Sequence, residues 1–161
     1  MAITLRNMTS VYFTNDSGIW CLFRIGSRVA DRLYVGAAGG HFEEYELNSP
    51  TQCILREMKE ELGLSSDDIS DLRLRYITSR LKNNEIRQNY YFFARLNTEK
   101  PLSSNEGNLL HFSYEQMKTL PMPVSARNMM DHYLKEGRYT DYLYAGITEK
   151  EGTRFAVMEE F

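Results

Sequence analysis

The sequence predicts an α/β sandwich in which strands are interleaved with two substantial helices, and three observations lead there. Short runs rich in β-branched and aromatic residues recur along the chain between turn signals. Two stretches among them carry helix start and stop residues around an apolar stripe. A length of 161 residues with 42% hydrophobic content suits one domain with a substantial core. The chain is therefore read as a single domain over 1–161, with an added C-terminal hairpin within 138–161.

The elements follow in order. Residues 9–13 and 19–25 make an opening hairpin around the turn Asn15-Asp16-Ser17-Gly18. An apolar run from Leu33 then breaks into Gly39-Gly40. Paired glycines let the backbone come close to a ligand, although alone they signal only a turn. The first helix is read as Pro50 to Leu62. Ser49 is placed as N-cap, Pro50 suits the first helical position, Gln52 completes a capping box, and Gly63 ends the helix in the left-handed conformation.

Residues 72–81 and 88–96 form a second hairpin across Lys82-Asn83-Asn84-Glu85. The run Tyr90-Tyr91-Phe92-Phe93 marks a central strand buried on both faces, packed as core rather than stacking a base. After a loop over 101–107 come a strand at 109–112, a short helix at 114–119 and the rigid link Leu120-Pro121-Met122-Pro123. Ser125 caps a helix over 126–135, closed by Gly137, with Met129, Met130, Tyr133 and Leu134 as its apolar stripe. Residues 142–147 and 153–157 make a last hairpin around Lys150-Glu151-Gly152. The chain shows no internal repeat.

The first helix carries the functional signal. At about 100° per residue, Glu57, Glu60 and Glu61 fall within one arc, while Leu55, Met58 and Leu62 gather on another face. Like charges at this spacing repel, and Glu60 and Glu61 occupy the last turn, where the helix dipole disfavours anions. Glu-rich helices are usually just solvated. Here the unfavourable positions, behind a glycine pair, point instead to a divalent cation.

The segment GGHFEEYELNSPTQCILREMKEELGL resembles the Nudix box, G-x5-E-x7-R-E-U-x-E-E-x-G-U with U a bulky aliphatic residue. Gly40 and Glu46 match its first two fixed positions, and Arg56, Glu57, Met58, Glu60, Glu61, Gly63 and Leu64 match the rest. The chain departs from the pattern in two places. Residues 47–55 put nine positions rather than seven between Glu46 and Arg56, a longer loop that leaves the role of Glu46 open. Ala38 stands where many members have proline.

The resemblance implies a Nudix-like α/β/α sandwich whose box is a loop-helix-loop, and a metal-dependent diphosphatase of the MutT-like branch. It implies Glu57, Glu60 and Glu61 as the metal-binding trio for Mg2+ or Mn2+, with the Gly39 carbonyl as a further ligand and Arg56 orienting the glutamates. These are hard oxygen donors suited to such ions, which bridge a diphosphate and acidify an attacking water. Glu106, in the loop where family members bring an additional carboxylate, is a candidate metal ligand or general base; the other reading is a surface turn residue. Arg24 and Arg28 are candidates for phosphate binding or ordinary surface charges. His41, His111 and His132 form no spaced metal pair.

The specific substrate reading is a nucleoside triphosphate with a modified purine, cut to monophosphate and pyrophosphate. The alternatives are a non-catalytic nucleotide sensor, or a Nudix enzyme acting on ADP-ribose or dinucleoside polyphosphates. With 19 basic and 22 acidic residues the net charge is -3, which provides no global field for a nucleic-acid polymer and no polybasic membrane patch. Cys21 and Cys53 form neither a CxxC pair nor a disulfide framework. No apolar run approaches the ~20 residues of a spanning helix. The expected protein is cytoplasmic and binds a small-molecule nucleotide; family habit alone suggests a homodimer.

Overall fold

A computed structural model describes residues 2–28, 30–98 and 102–159. Among these residues nine strands form one mixed sheet: β1 (Thr4–Thr14), β2 (Gly18–Arg24), β3 (Leu33–Val35), β4 (Ala38–His41), β5 (Ile69–Lys82), β6 (Glu85–Leu96), β7 (Gly107–Ser113), β8 (Tyr144–Glu149) and β9 (Gly152–Val157). The main path runs β3-β2-β1-β6-β5-β8-β9, with β4 paired to β1 and β7 to β2. The β1–β6 and β5–β8 pairs are parallel, and the other strand pairs named here are antiparallel.

Strand alternation builds two cores. On one face Val11, Phe13, Phe92 and Ala94 pack with Ile54 and Met58 of α1 (Pro50–Leu62). On the other, Tyr12, Tyr91 and Phe93 meet Met117 of α2 (Tyr114–Met117) and Met129, Met130 and Tyr133 of α3 (Val124–Lys135). The period of two in the strands thus dictates which side chains reach which helix layer. Burying side chains such as Ile54 and Met58 completely contributes about 1.5–3 kcal/mol each. The run Tyr90-Tyr91-Phe92-Phe93 lies in β6, between β1 and β5, as its apolar character on both faces predicts.

Helix α1 has the predicted bounds, and Gly63 ends it at φ 67°, its N–H donating to the Lys59 carbonyl while the Leu64 N–H donates to the Met58 carbonyl. The predicted Ser49 capping box does not form, since the Ser49 side chain makes no cap hydrogen bond. Its carbonyl accepts from the Gln52 and Cys53 amides instead, and Pro50 has no N–H that needs a cap. Helix α3 begins at Val124 behind Pro123, so Ser125 lies inside it; Glu136 is the C-cap, and Gly137 opens the following 3-10 turn. The short helix predicted to Thr119 ends at Met117, with Ser113 as its cap.

Strand β1 extends beyond its apolar segment because β6 pairs with it in parallel register from Thr4↔Glu85 to Thr14↔Arg95. The β5–β6 hairpin turns on two residues, Asn83 and Asn84, both at positive φ, a conformation asparagine tolerates. The predicted last hairpin is β8–β9, seated on β5. Pro101 of the predicted loop, and Glu160 and Phe161, lie outside the described residues. Among the described residues no helix is long and apolar enough to cross a membrane.

Candidate active site

Arg56 organises the box. Its Nε and Nη2 donate to the two carboxylate oxygens of Glu46 at 2.6 and 3.0 Å, its Nη1 to Glu57 at 2.9 Å and Glu60 at 3.1 Å, and its Nη2 also to the His41 carbonyl at 3.0 Å. Glu46 is completely buried and accepts a further bond from the Glu43 amide. The Arg56 hydrogen bond, acting against desolvation, holds the Glu46 carboxyl down at about 2. The two extra box residues are absorbed outside this pair. After the 3-10 turn over Glu44–Glu46 the chain turns at Leu47-Asn48, where the Ser49 amide donates to the Glu46 carbonyl at 2.8 Å and Leu47 faces solvent.

Glu61 accepts a hydrogen bond from the Gly39 amide at 3.2 Å. Burial is the largest influence on its carboxyl, and with the like charges of Glu57 and Glu106 it raises the pKa to about 7 against the Gly39 bond. Glu57 is also raised, first by burial and against the pull of Arg56. Glu60 extends outward, with more than half of its side chain exposed. Glu106 meets Arg24 at 2.8 Å, because β2 and β7 pair Arg24 with Gly107 and so bring the loop glutamate alongside.

Gly39, Gly40, Glu61, Glu106, Arg24 and Arg28 line one cleft of about 450 Å³. Arg56, Glu57 and Glu60 do not line it, although the Glu57 carboxylate packs against Gly40. Among the described residues no three histidine, cysteine or carboxylate side chains are set around one point as metal ligands. The donor set nevertheless fits a divalent ion in kind. Glu57 and Glu60 each give one oxygen to Arg56 and keep the other, Glu61 is crowded by like charge, and all are hard oxygens. The cleft also holds Arg6, Arg80 and Arg87, which the sequence reading passed over. Their signal is parity: Arg87 shares a strand face with Asn89, Tyr91 and Phe93.

A Cβ at Gly40 would lie 2.3 Å from a Glu57 carboxylate oxygen. Gly40→Ala is therefore expected to push Glu57 out of place and lower turnover about 10²-fold, with the melting temperature changed far less, since the displaced atoms end a side chain. Kinetics beside a thermal melt check this. Turnover equal to the parent's would show that the Glu57 position does not matter.

The family model for the NUDIX domain matches residues 4–133. A comparison with curated proteins gives no match. Among solved structures, the MutT protein from Bacillus halodurans aligns at TM-score 0.66 and 20% identity, covering 93% of this chain and 97% of its own. The E. coli ORF135 protein gives 0.65 and 20%, over 86% and 96%. A NUDIX hydrolase from Nitrosomonas europaea gives 0.67 and 14%, over 89% and 78%. At these identities the structural likeness establishes the fold, and the family match over most of the chain establishes the family: this protein belongs to the NUDIX domain family and is a Nudix-type hydrolase of diphosphate bonds.

Proposed function

We propose that the chain hydrolyses a diphosphate bond in a nucleoside diphosphate linked to another group, with Mg2+ or Mn2+ as cofactor. The observation that carries this reading is the convergence of Glu61 and Glu106, from separate elements, on one cleft beside Gly39-Gly40 and next to Arg24 and Arg28. Bound there, the ion would offset diphosphate charge and acidify the attacking water.

In this reading Glu57, Glu60 and Glu61 hold the ion with the Gly39 carbonyl, and Arg56 keeps Glu57 and Glu60 aimed by holding one oxygen of each. Glu106 is a further ligand or the proton acceptor. Arg24 and Arg28 grip phosphate oxygens, a task suited to the planar guanidinium fork. Arg24 also holds Glu106, so phosphate binding and the position of that carboxylate are coupled. The first branch to test is a nucleoside triphosphate cut to monophosphate plus pyrophosphate, with a modified purine preferred over its ordinary counterpart.

A product screen with Mg2+ or Mn2+ tests this over ordinary and oxidised purine triphosphates, ADP-ribose, dinucleoside polyphosphates and nucleotide sugars. The expected result is strict dependence on the divalent ion, with solvent oxygen entering one product. Nucleoside diphosphate plus orthophosphate would overturn the triphosphate branch. Tight binding without turnover of any diphosphate compound would favour a sensor.

A further inference from the structure

Three neighbouring strands bring three arginines into a row. The register sets Arg6 of β1 beside Arg87 of β6, and Arg87 opposite Arg80 of β5; all three line the cleft. Like charges on adjacent strand positions oppose folding. Little nearby offsets them. Glu85 touches Arg87 and lies 3.9 Å from Arg6, so one carboxylate is shared between two cations. Among the described residues the Arg80 side chain makes no hydrogen bond or ion pair. The Arg6 Nε is buried without a partner, while its Nη2 bonds His41 Nε2 at 2.8 Å. A half-buried row of this kind, with guanidinium donors left over, is built for an anion.

The row stands apart from the acidic end of the cleft. Gly39 pairs with Ser10, and Arg6 lies four residues back along the same strand, roughly 13 Å at the usual rise. A diphosphate held beside Gly39 and Glu61 would therefore meet Arg24 and Arg28, not this row. Met8 and Ser10, between the two ends, line the floor where an uncharged middle portion would lie. A neutral base over the row would leave three cations facing it with too little countercharge.

We propose that Arg6, Arg87 and Arg80 form a subsite for a phosphate group on the organic part of the substrate, so that the preferred substrate is a diphosphate compound carrying a second phosphoryl group remote from the bond that is cut. Which bond is cut rests on the diphosphatase reading; the anion subsite does not.

The test is calorimetric titration of the metal-free protein in chelator, comparing ADP with adenosine 3′-phosphate 5′-diphosphate and its 2′-phosphate isomer. The ligands differ in one phosphate, so repulsion from the acidic end affects them alike and their ratio reports the subsite. The expected result is about ten- to a hundredfold tighter binding of one doubly phosphorylated ligand, the gain of a charge-assisted contact. Arg80→Gln should reduce that ratio to below about threefold, and Arg80→Lys should restore part of it. Because the Arg80 side chain holds no hydrogen bond or ion pair among the described residues and faces a like charge in Arg87, Arg80→Gln should keep or raise the melting temperature, which separates lost binding from lost folding.

Equal affinity for ADP and both isomers, or no detectable binding of any of them, overturns the subsite. So does a preference that survives Arg80→Gln and Arg87→Gln unchanged. In the same preparation, hydrolysis with Mg2+ is measured separately. A phosphate preference that depends on Arg80 in a protein that cuts no diphosphate would remove the diphosphatase reading and leave the subsite standing.

Discussion

Replacing Arg56 with methionine is expected to cost about 3–5 kcal/mol of folding stability, the penalty for removing one partner of a buried ion pair. In a chain of this size that lowers the melting temperature by about 6–20 °C. The cause is Glu46, which is completely buried and would keep the Glu43 amide as a partner but lose the two guanidinium bonds. The pH dependence gives a second check. In the parent the Glu46 carboxyl titrates at about 2, below its ordinary 4.5, so its contribution is fully present above 4.5 and is lost as pH falls toward 2. In Arg56→Met the largest lowering influence is gone while burial remains, with the Glu43 amide opposing it, so that carboxyl rises and the stability gap between the two proteins should narrow on acidification. Adding Glu46→Leu should recover much of the loss, since an apolar pair avoids the desolvation cost. A melt unchanged by Arg56→Met would remove Glu46 and Arg56 as the hinge of the box.

Glu61→Gln is expected to lower turnover by about 10² to 10³-fold, the scale of losing one preorganised charged group, while raising the stability of the metal-free protein at neutral to alkaline pH. Burial lifts the Glu61 carboxyl to about 7 from 4.5. A raised group favours the folded state below the unfolded value of 4.5, and that advantage is lost as pH rises through about 7. The metal-free parent should therefore weaken between pH 4.5 and 7, and the glutamine variant should not show this component. A divalent ion should reverse the order. Binding only the folded state, it should raise the parent's melting temperature at pH 8 by mass action and the variant's much less. Matching metal responses in the two proteins would take Glu61 out of the ligand set.

Local chemistry was legible in the sequence where single residues decide it. Pro50 and Gly63 bound α1 because one lacks a donor and the other accepts positive φ. Ser49 is the N-cap residue of α1, as its place before Pro50 predicts, but its side chain makes no cap bond, and the Ser125 cap was misplaced. Glu46 delivers a carbonyl to Ser49, and Pro123 already starts α3. Glu46 itself looked displaced by the longer loop. The chain turns at Leu47-Asn48, after Glu46, and Glu46 keeps its place beside Arg56, a geometry no residue count could reveal. Contacts made by strand register were hidden altogether. The Arg24–Glu106 pair depends on β2 meeting β7, and the arginine row depends on three strands aligned at once.

The parallel pairing of β1 with β6 also has a consequence for how the chain matures. On a ribosome, residues 4–14 emerge early, yet their partner along the full length of the strand, residues 85–95, is made some eighty positions later. Until then one border of β1, including Val11 and Phe13, lacks its neighbour. Distant pairings of this kind slow folding and leave nascent chains open to aggregation. Translation stalled just before residue 85 should therefore give a nascent chain that is protease-sensitive at its amino end, and release past residue 96 should protect it.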